Sequence, residues 1–127
     1  MNTSTLSPPN AAGLAWAAKT RVVADLVRRR VLSLTIDRNG CYLSQTLSSA
    51  DLLATLYTRV MKLGPSEGAP IPPPFRGVPG HDGARFGEGA AYNGPQGAGY
   101  DRLLISPAHY AVAIYATLVE TGRMAPE

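Results

Sequence analysis

Apolar positions fall into three stretches with helical spacing, separated by one long break. From Ala11 to about Arg38, Val22, Val23, Leu26, Val27, Val31 and Leu34 recur three and four residues apart. That spacing predicts a single long helix. Lys19, Arg21 and Arg28–Arg30 occupy much of its remaining surface, and Trp16 is expected to anchor its first turns. Asn39-Gly40 predicts a left-handed cap at its end. A second stripe, Leu52, Leu53, Leu56, Tyr57, Val60 and Met61, predicts another helix. Ser48 is its expected N-cap, Asp51 completes a capping box, and Gly64-Pro65 is its stop. Leu103-Leu104-Ile105 reads as a short buried strand. Ser106 and Pro107 then suit the N-cap and first position of a third helix running to Thr121. Tyr110, Ala113, Ile114, Thr117 and Leu118 share one side of it, and Gly122 is its expected C-cap.

The break lies between Gly64 and Tyr100. Most of the 13 glycines and 11 prolines fall there. A stretch of this length exceeds by far the ~4–6 residues of an ordinary connection. Ile71-Pro72-Pro73-Pro74-Phe75 predicts extended polyproline-like chain, and Phe86, Tyr92 and Tyr100 are candidate anchors. The first ten residues read as a disordered lead-in without the basic start or apolar core of a signal peptide. Few residues remain for an independent core, so the chain is expected to fold against a protein partner.

Composition narrows the function classes. The net charge of +3 is too small to argue for nucleic acid on its own. The Arg28–Arg30 run has no interleaved aromatics. It reads as a solvated face with salt bridges to Asp25 and Asp37, so no nucleic-acid partner is expected. The lone cysteine, Cys41, excludes an intramolecular disulfide framework and fits a reducing, cytoplasmic setting. It reads as a small buried hydrophobe. No apolar run reaches the ~18 residues of a membrane span, so no membrane association is expected. His81, within Gly80-His81-Asp82-Gly83, reads as a solvated loop residue, and two separated histidines make no metal set. Nucleotide-binding glycine motifs and a nucleophile elbow are also missing.

Candidate chemistry gathers at the third helix. A strand, a turn and a helix start with a polar cap form a common anion site, because free N–H groups and the positive dipole end face outward. His109 is expected about two residues into that helix. The segment Asp101-Arg102, three apolar residues, then Ser106-Pro107-Ala108-His109 resembles the transketolase pattern Asp-Arg-x-x-x-Ser-x-Gly-His. Ile114-Tyr115-Ala116 stands where that family has Leu-Tyr-Ala. Upstream, Ala50-Asp51 followed by Leu56-Tyr57 resembles the family's Ala-Asp helix. Counting back without gaps, Tyr42 stands at the family's first histidine, and Leu43, Ser44 and Ser48 replace Pro, Gly and Gly.

The resemblance implies an α/β fold, in the form of a mostly helical fragment of a thiamine-diphosphate-binding doubly wound domain over residues 11–127, with the 64–100 Gly/Pro-rich loop as an insertion. It implies transfer of a two-carbon ketol unit from a ketose to an acceptor, either a sugar phosphate or a carrier-bound group. Thiamine diphosphate and Mg2+ would be shared with partner chains carrying the metal-clamping Gly-Asp-Gly and the remaining domains. His109 and Tyr42 take the catalytic positions, and His109, Ser106 and Ser44 the cofactor-binding ones. Tyrosine donates a hydrogen bond but does not shuttle protons near neutral pH. Its presence at position 42, with the insertion, also fits a non-catalytic scaffolding subunit that keeps the transketolase helical layer for packing.

Overall fold

The computed structural model describes residues 11–38, 42–73 and 89–126. Along them run α1 (Ala11–Arg38), α2 (Leu43–Thr55) and α3 (Ala111–Glu120). A π-helical turn at Leu56–Val60 extends α2, and 3-10 turns form at Ala90–Asn93 and Ala108–Tyr110. Asn39-Gly40, Cys41, Phe75, His81 and Phe86 lie outside the described residues, as does the ten-residue lead-in.

The three helices pack on one another through small side chains. Ala24, Val27 and Val31 of α1 meet Ala50 and Ala54 of α2 and Ala116 of α3, with Val23, Leu43 and Val112 closing the rim. Alanines at the crossings let the backbones approach closely, which the short α3 needs to bury its narrow face. Thr20 and Thr58 bridge α1 to the π-turn, hydroxyl to hydroxyl at 3.0 Å. The Thr58 hydroxyl also lies 2.7 Å from the Ala54 carbonyl. Arg30 pairs with Glu120 across α1 and α3, and Arg28 pairs with Asp51 of α2 as well as with Asp25. Asp37, the other expected partner of the arginine run, instead accepts a hydrogen bond from Ser33 at 3.1 Å.

A second cluster joins the helices to the irregular chain. Tyr57, Tyr92 and Leu118 are buried together, flanked by Leu56, Met61, Leu63, Leu103, Ile114 and Met124. Tyr57 donates to Asn93 Oδ1 at 2.9 Å, and Tyr92 donates to the Ala69 carbonyl at 2.9 Å. Arg123, just past α3, donates through Nε to the Tyr92 carbonyl at 2.6 Å and through Nη2 to the Gly64 carbonyl. One guanidinium therefore ties both described ends of the Gly/Pro-rich stretch to the helical layer. Replacing Arg123 by methionine should remove about 1.5–3 kcal/mol, the usual range for hydrogen bonds to a charged group. A lower urea midpoint at unchanged slope is the expected reading.

Several local expectations are corrected. Mostly helical architecture is observed, but no strand forms among the described residues. Leu103-Leu104-Ile105 has no regular secondary structure, and Leu104 is 92% exposed. An apolar run needs a neighbouring edge to become a strand, and here it meets only helices and loop. Ser48 does not cap α2. The helix begins five residues earlier, at Leu43, and the Ser48 hydroxyl donates back to the Gln45 carbonyl at 3.1 Å. Tyr42 holds the N-cap position without a side-chain hydrogen bond. In the second stripe Leu53 and Tyr57 are buried, whereas Leu52 and Val60 are mostly exposed. Leu52 lies on the outer flank of α2, before the π-turn, and the wider turn at Leu56–Val60 carries Val60 out of the stripe's register. Trp16 is partly exposed, and Arg59 lies over its ring at 5.9 Å from the centroid.

Candidate functional site

Tyr42 and His109, 67 residues apart in sequence, meet in space. Their rings lie edge to face, with centroids 4.3 Å apart and planes at 88°. Tyr42 is presented by the start of α2 and His109 by the 3-10 turn leading into α3. Both are exposed. This geometry is among the favoured arrangements of aromatic rings. It sets an imidazole and a phenol together at the surface.

The helix start is not built as the sequence suggests. His109 is not in the first turn of an α-helix. It sits in the 3-10 turn Ala108–Tyr110, and α3 begins only at Ala111, with Tyr110 at its N-cap. Pro107, not Ser106, precedes that turn, and Ser106 caps neither element. The reason is steric: proline's fixed φ fits the extended entry, where Pro107 has ψ of 120°. Ser44, in the first turn of α2, is exposed and donates to its neighbour Gln45 Oε1 at 2.7 Å. Of the four candidate residues, Tyr42 and His109 form a pair, while Ser44 stands in the first turn of α2 and Ser106 in the irregular chain before Pro107.

Asp101 and Arg102 serve the loop instead of the pair. The Asp101 carboxylate accepts from the Lys62 amide at 2.7 Å, and the Asp101 amide donates back to the Lys62 carbonyl at 2.9 Å. Arg102 Nη2 donates to the Gly94 carbonyl at 2.8 Å. Its Nη1 is buried with no hydrogen-bond partner among the described residues. Arg102 also lines a cavity of about 550 Å³ beside α3, together with Tyr57, Asn93, Leu103, Ile114 and Tyr115. Sequence reasoning missed this cavity. Its one legible signal was the number of tyrosines near the Gly/Pro-rich stretch. Burial pushes the Tyr57 phenol above its ordinary range, against the opposing effects of Arg123 and of the Asn93 hydrogen bond. Burial lowers the Arg123 guanidinium, opposed by Tyr57. Tyr57 is thus held as a neutral phenol, suited to hydrogen bonding and not to proton transfer.

No group of three or more metal-ligating side chains occurs among the described residues. None of their helices is long and apolar enough to cross a membrane. No family model, curated protein or solved structure matches the chain.

Proposed function

We propose that this chain is a subunit of a multi-chain transketolase-like enzyme and contributes one edge of its thiamine-diphosphate site. The supporting observation is the contact between Tyr42 and His109. These are the two positions that the resemblance to transketolases assigns to the site, and they come from separate segments. Their exposure suits an edge completed by another protein. The residues fit such an edge better than a complete cradle: an imidazole and a phenol offer hydrogen bonds to a phosphate or a substrate oxygen. The Mg2+ ligands, and the rest of the α/β doubly wound domain, belong to the partner in this reading.

When bound, thiamine diphosphate supplies the carbanion chemistry of ketol transfer. Within this chain, His109 takes or returns a proton at a substrate oxygen or donates to a phosphate oxygen. Tyr42 keeps the imidazole ring oriented through the edge-to-face contact and leaves its hydroxyl for a further hydrogen bond. Ser44 and Ser106, on the chain segments that carry Tyr42 and His109, would add hydroxyl donors in this reading. The substrate class is a ketose phosphate or a carrier-bound acceptor, and the cytoplasm is the proposed compartment.

The test is to purify the assembly from its native host and measure thiamine diphosphate content and ketol transfer. His109→Ala should lower turnover or cofactor affinity at least about tenfold, a change of about 1.4 kcal/mol, while assembly is retained. Tyr42→Phe, which keeps the ring contact, should have a smaller effect than Tyr42→Ala. Unchanged kinetics in His109→Ala would reduce the pair to a packing contact.

One observation favours a second reading, a scaffolding subunit without chemistry of its own. Asp101 and Arg102, the most motif-like pair in the segment, are used to fasten the loop. A pure scaffold would copurify with its partner, and the His109 and Tyr42 variants would leave turnover unchanged.

A further inference from the structure

The face of α1 turned away from the core is itself patterned. Ala24, Val27 and Val31 are buried against α2 and α3, and Thr20 against the π-turn. On the opposite side, Ala15, Ala18, Val22, Asp25, Arg29, Leu32 and Ile36 repeat at alternating steps of three and four, and all are exposed. Val22 is 59% exposed and Ile36 73%. A helix with apolar residues on both sides has a second surface to cover. This spacing is the seven-residue repeat of a coiled-coil seam, with Ala15, Val22, Arg29 and Ile36 in one set of positions and Ala18, Asp25 and Leu32 in the other.

The two charges in the seam identify the occupant. We propose that this face pairs with the same face of a second copy of the chain, as an antiparallel two-helix coiled coil about a two-fold axis. In the symmetric register Ala18 faces Ile36 of the second copy, Val22 faces Leu32, and Asp25 faces Arg29. Symmetry repeats each contact, so every apolar seam residue from Ala18 to Ile36 meets an apolar one and both charges are neutralised at the centre. A parallel pair would instead set Arg29 against Arg29 and Asp25 against Asp25. Sliding the antiparallel pair by one repeat would set a charge against an aliphatic side chain. Leu26 of each copy lies near the axis on one flank. On the other flank is Arg28, already paired with Asp25 and Asp51 of its own chain. Arg29 has no ion partner among the described residues, leaving its guanidinium available for the opposing carboxylate. Buried charged layers of this sort fix register and orientation.

This inference does not depend on the proposed enzyme function, because it is read by mass. Sedimentation equilibrium of the full chain should give twice the 13.4 kDa chain mass. Asp25→Arg and Arg29→Asp should each weaken the dimer at least tenfold with helical circular dichroism retained. The double exchange, Asp25→Arg with Arg29→Asp, should restore it. In a Cys41→Ser background, Val22→Cys with Leu32→Cys should give a covalent dimer on oxidation, and Val22→Cys alone should not. A monomer at all concentrations, a dimer indifferent to the single exchanges, failure of the double exchange to restore pairing, or cross-linking through Val22→Cys alone would each overturn the proposal.

Discussion

Leu118→Ala is expected to cost about 2–5 kcal/mol of folding stability, the range for emptying a leucine-sized core site. Leu118 is almost fully buried and is packed with Tyr57 and Tyr92. It belongs to α3 yet also contacts the side chains that hold the irregular chain. Truncation would open a void that three elements must collapse to fill. The tyrosines are fixed by hydrogen bonds to Asn93 and Ala69, so the collapse would be incomplete and the cost should lie in the upper part of the range. At roughly 4 °C per kcal/mol for a chain of this size, the melting temperature should fall by about 14–20 °C. Circular dichroism melts will read this directly. Leu52→Ala is the matched control: Leu52 is exposed on α2, and its loss should stay within about 0.5 kcal/mol. Equal effects at the two positions would show that the second cluster does not melt with the helices.

Gly94→Ala should be comparably severe, for a backbone reason. Gly94 has φ of 88° and ψ of −165°, a region essentially reserved for glycine, where other residues cost about 1–3 kcal/mol. An added methyl carbon would also sit 2.6 Å from the Pro65 carbonyl oxygen and 2.8 Å from the Gly64 carbonyl carbon. Both obstacles are backbone, and neither can swing aside as a side-chain tip could. The two penalties together should reach about 3 kcal/mol or more. Part of the molecule should respond more than the rest: the contacts of Gly64–Gly68 with residues 91–94 should open first, and amide exchange at Glu67, which donates to the Ala91 carbonyl at 2.9 Å, should rise before exchange in α1. Gly122→Ala makes a useful contrast. Gly122 also has positive φ, 71°, but nothing lies near the position of an added methyl, so only the ~1–2 kcal/mol left-handed penalty remains. Similar losses at both glycines would mean that the close approach of the two backbone segments is not tight in solution.

The second cluster and the ring pair are held by different parts of the molecule. Arg123 and Gly94 hold the irregular chain on the helical layer, and this layer presents Tyr42 and His109. Loosening the clamp at residues 64 and 94 should therefore be separable from loss of the ring pair, which rests on α2 and the 3-10 turn before α3.

The sequence by itself determined the long α1, the third helix and its glycine end. In α1 the three-and-four spacing is uninterrupted and no helix breaker intrudes after Gly13, so local propensity and burial agree. At Gly122, positive φ at the helix end is a local requirement that glycine alone meets without cost. The start of α2 was not legible, because Tyr42, Leu43 and Ser44 offer no capping signal. The turn forms because Leu43 reaches the core formed by α1 and Thr46 bonds back to the Tyr42 carbonyl. Leu103–Ile105 misled in the opposite direction, since its apolar run is a strand only if another strand lies beside it. The candidate site divides in the same way. Tyr42 and His109 could be named from sequence pattern, but their contact depends on how α2 and the entry to α3 pack against each other, and no local spacing carries that information. The free seam on α1 was likewise invisible until Thr20, Ala24, Val27 and Val31 were seen to take the core side: a helix with apolar residues all round does not reveal which face is covered until its neighbours are in place.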